Sequence, residues 1–460
     1  MSDLDREPLI LSQPGLTLRL SNGGLALQED MIEVAPGASL ELYNMVISSD
    51  GVRDLGHSDS EDRGVVYING EGASAYMEHC TITAVAPAAG EDQQPTIKCH
   101  AVLVAGGGRA TLDSCTLEAA TGSGLHVQGT NSRAFAIGCT AQRCAGDGFS
   151  AAGGARVTLQ RCSALNNSGA GFCAAGSGAR LVAGSLCKAE HNAGPGFHVG
   201  QQGYLHAEGG AVARLNQGDG YSAHGAGSHL KAGSACIASA NGMQHPGSGS
   251  SASSRSSHDS GAVRPNDNGY HGFHASGGAH ITAGKRCASS SNAGAGFLAE
   301  GPGSYLEVCQ GSTAAHNGGV GLGVFKQGLI KAGEKVMSVE NGSHGFLAED
   351  TGSLLETGAC CRSDHNHESG FMASEHAQLQ AGDSCSASSN WEYGLVAADG
   401  GQLAVGKDSK AANNYIGGFA AVGHKAKLMH KPGCTSWGNI CDDEVQDWVE
   451  EEGGSLVAIP

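Results

Sequence analysis

One interval dominates this chain. A glycine followed by a large apolar residue recurs at Leu125, Phe149, Phe172, Phe197, Tyr221, Phe273, Phe297, Leu322, Phe346, Phe371, Leu395 and Phe419, and all but one of the steps are 23 to 25 residues. Asn stands five residues before the apolar position on ten rungs in a row: Asn167, Asn192, Asn216, Asn268, Asn292, Asn317, Asn341, Asn366, Asn390 and Asn414. A second apolar column reads Leu181, Leu205, Leu230, Ile281, Leu306, Ile330, Leu355, Leu379, Leu403 and Leu428, each member 11 residues before the next Asn of the column once Asn241 and Asn439 are included. A third, five residues before the Asn position, is largely Cys, with Ala211, Ser312, Val336 and Ser409 filling its gaps. Self-similarity at a fixed period of this size is the mark of a solenoid, in which identical coils stack and each column lies over itself.

The steps around each Asn are constant, and only the step from the Phe column to the Leu column varies, between eight and nine residues. Two corners of each coil are therefore locked and one is adjustable. Between the corners, pieces such as Gly-Phe-His-Val alternate apolar and polar residues, which is strand patterning. Each coil thus carries about three short strands. Composition agrees: 74 glycines make long helices costly, at about 1 kcal/mol for each interior Gly relative to Ala, while 40% hydrophobic residues supply an extended core. Parallel coils bring equivalent residues to about 4.8 Å, so one Asn per coil can join a continuous amide ladder. The Gly before each large apolar residue supplies either a positive φ or a close backbone approach.

The Asn-x-x-x-Gly-Phe coil resembles the right-handed parallel β-helix of pectate-lyase-like proteins over roughly residues 60 to 440. The handedness is implied by that resemblance. The expected fold is all-β: a single-stranded right-handed parallel β-helix of about 14 coils with an Asn ladder, at about 4.8 Å per coil. Residues 1–60 are expected to form an N-terminal cap and irregular first coils, 61–440 the β-helix, and 441–460 an acidic C-terminal cap in which Val445, Trp448 and Val449 share one face of an amphipathic helix. The one long step, from Tyr221 to Phe273, contains a Ser/Gly-rich stretch, 242–267, that reads as an extruded flexible loop. Cys alternates with Ala, Ser and Val in its column, as inward packing allows and a ligand set would not. No metal site or cofactor is expected, and so much unpaired thiol suits a reducing, cytoplasmic compartment. The first residues also lack the layout of a signal peptide.

A net charge of -18 with no long basic run argues against nucleic acid, and against polyanionic polysaccharides unless a local basic groove compensates. No apolar stretch is long enough for a membrane-spanning helix. On a strand, the residue after the inward Phe points outward, so the outer face can be read coil by coil. His126, Ser150, Cys173, His198, Ser222 and His274 make its first half polar. With the Ser/Gly stretch extruded, His198, Ser222 and His274 fall on consecutive coils, with Asp219, His224 and His271 at the strand margins. His198, Asp219, His224, His271 and His274 are the candidate catalytic residues, since His serves as a general base near neutral pH.

The second half of the face is apolar. Leu298, Leu347, Met372 and Val396, with Phe325 beside them, offer a patch for a protein partner or a second copy of the chain. The coil style also resembles the intracellular β-helix repeats of F-box-type adaptor and scaffold proteins, which bind proteins, although no F-box helix bundle precedes the coils. The motifs of related enzymes do not carry over. The paired carboxylates of polygalacturonases, the calcium-binding carboxylates of pectate lyases and the Asp-Pro-His-Glu of alginate epimerases find no match here. The leading expectation is a non-enzymatic scaffold or binding protein. The alternative is a carbohydrate-active enzyme (lyase, hydrolase or epimerase) or a glycan-binding protein.

Overall fold

The computed structural model describes residues 9–27, 31–49, 62–85, 98–119, 121–242, 270–441, 444–445 and 447–459. The Ser/Gly stretch at 243–267, Asn268 and the Asp442-Asp443 pair lie outside them. Described residues form strands and turns with no helix, and no helix is long and apolar enough to cross a membrane. The chain is a parallel β-solenoid of about 16 turns, two more than the periodicity suggests. It divides into two compact units, Met1–Asn216 with Gly227–Lys231, and Gln217–Ala226 with Ala232–Pro460.

One coil of the first unit shows how residues dictate the path. Phe172–Ala175 buries Phe172 and Ala174 and turns Cys173 and Ala175 outward. Gly176 and Gly178, both at positive φ, make the adjustable corner. Arg180–Ala183 then points Leu181 and Ala183 inward, Cys187 fills the next corner, and Lys188–Glu190 leads to Asn192. The next coil repeats the path in register, Phe172 opposite Phe197 and Leu181 opposite Leu205. Rings in the Phe column stack face to face: Phe172 lies 4.8 Å from Phe197 in the first unit, and Phe346 lies 4.5 Å from Phe371 in the second.

The ladder forms as the spacing predicts, and every bond in it runs the same way. Asn167 donates its backbone N–H (3.1 Å) and Nδ2 (2.9 Å) to Oδ1 of Asn192, and Asn192 does the same to Asn216. In the second unit the chain of bonds runs from Asn241 through Asn292, Asn317, Asn341, Asn366, Asn390 and Asn414 to Asn439. There Asn439 Nδ2 donates to Asp447 Oδ1 at 2.8 Å, which closes the column. The glycine before each aromatic is resolved as a close approach, not a positive φ. A Cβ on Gly171 would lie 2.7 Å from the Gly196 carbonyl oxygen and 3.1 Å from Asn192 Nδ2. Positive φ falls instead on the residue before each ladder Asn, for example His191 (58°), Leu215 (56°) and Glu340 (54°).

The two ends follow the stack. At the N-terminal side Leu9–Leu11 pairs with Ile32–Val34, which pairs with Asp62–Asn69, so the first residues described already belong to it. At the other end the described residues form strands in place of the expected amphipathic helix. Trp448–Glu451 pairs in parallel with Gly417–Val422, and Ser455–Ala458 with Lys427–His430. Trp448 occupies the Phe slot, its ring 4.5 Å from Phe419. The step from 419 to 448 is longer than the repeat because a short antiparallel hairpin, Ile440–Cys441 with Glu444–Val445, is inserted. These extra coils account for the higher count.

Candidate functional site

Two neighbouring slots shape the outer surface of the Phe strands: the residue after the Phe, and the residue just before the preceding Gly. In the second unit Tyr221–His224 pairs directly with Phe273–Ser276, Ser222 opposite His274. Asp219 and His271 fill the slot before the Gly on these two coils, and His274 the slot after the Phe. One carboxylate oxygen and one nitrogen of each ring lie within 4.8 Å of one another.

The bonds within this cluster assign its protons. Asp219 Oδ1 accepts the backbone N–H of His271 at 2.7 Å, and its Oδ2 lies 3.1 Å from His274 Nδ1. His271 Nδ1 accepts the backbone N–H of Ala295 at 2.8 Å, so in neutral His271 the proton sits on Nε2. His274, bonded to a carboxylate through Nδ1, carries its proton there in the neutral form, which leaves Nε2, turned away from Asp219, as the unprotonated nitrogen. That Nε2 is buried and has no hydrogen-bond partner among the described residues. The two rings meet edge to face at 4.9 Å.

Electrostatics separate the histidines. Burial pushes His271 down to about 4, against the pull of the Asp219 carboxylate. Burial acts on His274 in the same direction, but Asp219 outweighs it and holds His274 above the usual histidine value. Asp219 is disfavoured as an anion by burial and yet stays below the ordinary carboxylate range, because both histidines favour its charge. A donor set of two His and one Asp is a metal-binding combination in general. Here the Ala295 bond occupies the lone pair of His271 Nδ1 and leaves a proton on Nε2, so a cation would have to break that bond or strip that proton.

The candidate residues thus divide. Asp219, His271 and His274 come together. His224 points to the far end of its strand, exposed, with its Nδ1 3.0 Å from Ser276 Oγ. His198 belongs to the first unit, where its charge acts on Asp147, a carboxylate raised by burial that accepts the Ala170 N–H at 2.7 Å.

A second cluster, Asp62, His100 and His126, was not anticipated as a group. His100 sits in the slot before the Gly, accepts the Ser123 N–H through Nδ1 at 2.8 Å, and stacks on His126 with ring centres 4.6 Å apart. His126, lowered to about 4 chiefly by burial, bonds Ser150 Oγ through Nδ1 at 2.6 Å. Reading the slot before the Gly down the coils brings out the polar His100 (before Ala101), Ser123, Asp147, Asp219, His271 and His344, with Ala170, Pro195, Ala295 and Val320 on coils between them.

The apolar row corrects the exposed-patch expectation. Leu298 (0% exposed), Phe325 (4%), Leu347 (2%) and Val396 (2%) are buried, and only Met372 is part exposed. Leu298, Phe325 and Leu347 pack with Ala295 and Val320, which fill the neighbouring slot, while Val396 packs with Ala420 and Val449. Alternation specifies the side of the sheet but not what lies over it.

A second correction concerns charge. Arg109, Arg133, Arg156 and Arg180 stand in register on four successive coils of the first unit, all exposed. This is a local basic row in an acidic chain. Its 24-, 23- and 24-residue steps were readable in the sequence.

A family profile described as "Right handed beta helix region" matches residues 63–241, in agreement with the expected handedness. No curated protein matches the sequence. Among solved structures, the chain is similar to the A-modules of two Azotobacter vinelandii mannuronan C-5 epimerases. The AlgE4 module is 12% identical, with a TM-score of 0.30, over 97% of this chain and 89% of that one. The AlgE6 module is 13% identical, with a TM-score of 0.30, over 97% and 91%. A variant of the periplasmic alginate epimerase AlgG is 10% identical, with a TM-score of 0.23, over 95% and 77%. At these values none of them assigns a role to a residue here. The resemblance in coil style to F-box-type adaptors is not supported.

Proposed function

We propose that this chain is a carbohydrate-active β-helix protein in which His274 acts as a general base, held by Asp219 and assisted by neutral His271. One observation carries the reading: His274 is anchored through Nδ1 to Asp219 while its buried Nε2 has no partner among the described residues. A carboxylate behind an imidazole fixes its tautomer and raises its basicity, which suits proton abstraction near neutral pH. The Nε2–H of His271 can meet negative charge developing on a substrate oxygen. Asp219 is the cluster's single carboxylate, whereas glycoside hydrolysis calls for two flanking the bond. Proton abstraction from a sugar carbon, leading to elimination or epimerisation, therefore fits better than hydrolysis. A polymeric substrate suits a surface that repeats coil by coil. The partner-binding reading has lost the exposed apolar row on which it rested.

The test is proton exchange. The full chain is incubated in deuterium oxide with a panel of neutral and acidic polysaccharides, and carbon-bound deuterium and unsaturated ends are followed by NMR and absorbance. His274→Gln and Asp219→Asn are expected to lose about a hundredfold or more of the wild-type rate. Equal rates for His274→Gln and wild type, or a wild type inert on the whole panel, would overturn the reading.

A further inference from the structure

The arginine row makes a second site, on a different sheet from the histidine cluster. Arg109, Arg133, Arg156 and Arg180 begin successive strands, Arg109–Asp113, Arg133–Ile137, Arg156–Gln160 and Arg180–Ala183, and lie directly opposite one another. Like charges facing each other across parallel strands are destabilising, and proteins ordinarily relieve them with carboxylates. The same unit does so elsewhere, pairing Arg143 with Glu118 and Arg214 with Glu190. Arg109, Arg133 and Arg156 have no ion-pair partner among the described residues, and Arg180 is held over the Tyr204 ring at 4.8 Å. Two residues along, on the same outer face, Thr111, Phe135 and Thr158 are aligned across three coils, with Phe135 36% exposed. At the first coils the row opens into a cavity of about 870 Å³ lined by Arg109, Arg133, Ser74, Thr130 and Asn131, with Glu71 its one carboxylate.

We infer that this row binds a linear acidic polysaccharide, its carboxylates meeting the guanidiniums, with a sugar ring resting on Phe135 and hydrogen-bonded by the flanking threonines. The face selects the ligand. The arginine Cα atoms stand about 4.8 Å apart, the parallel-strand separation, and make a continuous line of positive charge. Phe135, exposed between Thr111 and Thr158 on that face, offers a platform for the apolar side of a sugar ring with hydroxyl partners beside it, a combination suited to a polyhydroxylated chain that carries carboxylates. Guanidinium is also the cation whose planar fork matches a carboxylate with two parallel hydrogen bonds. The row does not depend on the proton-abstraction reading, since it lies wholly within the first unit and the histidine cluster within the second.

The experiment uses the full chain and calorimetry against polygalacturonate oligomers, their methyl esters and oligothymidylate of equal charge. Wild type is expected to bind polygalacturonate with an affinity that falls as salt rises, and to ignore the methyl ester. Arg133→Gln with Arg156→Gln should weaken binding by about tenfold or more, while Arg133→Lys with Arg156→Lys should recover only part of it. Both pairs are at exposed positions, and an unchanged thermal midpoint confirms their folding. His274→Gln should bind as wild type does, so failure of the catalytic reading leaves this one standing. Equal binding of ester and acid, wild-type binding by the double Gln variant, or tighter binding of oligothymidylate than of polygalacturonate would each overturn the inference.

Discussion

His271 and His274 are three residues apart and are driven to opposite protonation behaviour by one carboxylate and the surrounding burial. The consequence for stability can be signed. His271 titrates near 4 in the folded chain and near 6.5 when unfolded. As pH falls through 6.5 the unfolded state takes up a proton that the folded state refuses, and stability drops until about pH 4, by roughly 3 kcal/mol at most. His274, raised when folded, contributes in the opposite sense: its stabilisation is present below 6.5 and is lost as pH climbs through its folded value. His271→Asn isolates the first effect, because the amide oxygen can replace Nδ1 as acceptor for Ala295 but does not titrate. Urea midpoints measured from pH 7 to pH 4 should fall less steeply for the variant than for wild type. Parallel curves would mean that His271 is not held neutral. Asp219 and His274 were legible in the sequence because outward and margin positions follow from strand alternation. The proton on His271 was not, since the Ala295 N–H that decides its tautomer comes from the next coil.

Among elements, the amide ladder is the interaction most exposed to a single change. Asn341 donates to Ala314 O (3.3 Å), Ser338 Oγ (2.9 Å) and Asn366 Oδ1 (3.0 Å), and accepts from both the backbone and the side chain of Asn317. Asn341→Ala leaves buried groups unsatisfied on two neighbouring coils, an expected cost of about 3–5 kcal/mol. Hydrogen exchange should show the lost protection concentrated in the coils around residue 341, because each repeat contacts only its neighbours. Protection lost evenly across the unit would contradict a nearest-neighbour ladder. The ladder was readable because one residue type marks it. The left-handed residue before each Asn was not, because that slot holds Asn, His, Leu, Ala, Ser, Glu or Gly from coil to coil, and the conformation is imposed by the stack. The Trp448 coil escaped notice for a different reason, a hairpin insertion that stretched the interval.

For the molecule as a whole, the inward Cys column makes a chemical prediction. Of 15 free thiols described, Cys360 is exposed and Cys173, Cys309 and Cys434 are intermediate, while the others are buried. Burial pushes Cys99 and Cys144 up to about 12 and Cys187 to about 11, and a protonated, covered thiol is a poor nucleophile. At pH 8 a thiol reagent should modify Cys360 first and the buried set only on unfolding. Rapid modification of Cys139, Cys162 or Cys187 in the native chain would show that the column does not face inward. At this scale the sequence revealed a repeat but understated its extent, because coils at either end obey the geometry without the signature residues.

The uniform direction of the Asn amides makes the two sides of any rung unequal. Stopping after a rung strands two buried N–H donors, whereas starting at one leaves only a carbonyl lone pair idle, the milder fault. A chain emerging from the ribosome would therefore always present hungry donors at its growing end and recruit the next coil as a ratchet takes its next tooth. Asp447, whose side chain accepts from Asn439 and has no amide donor to pass onward, takes up the side-chain donor that the last Asn would otherwise leave stranded.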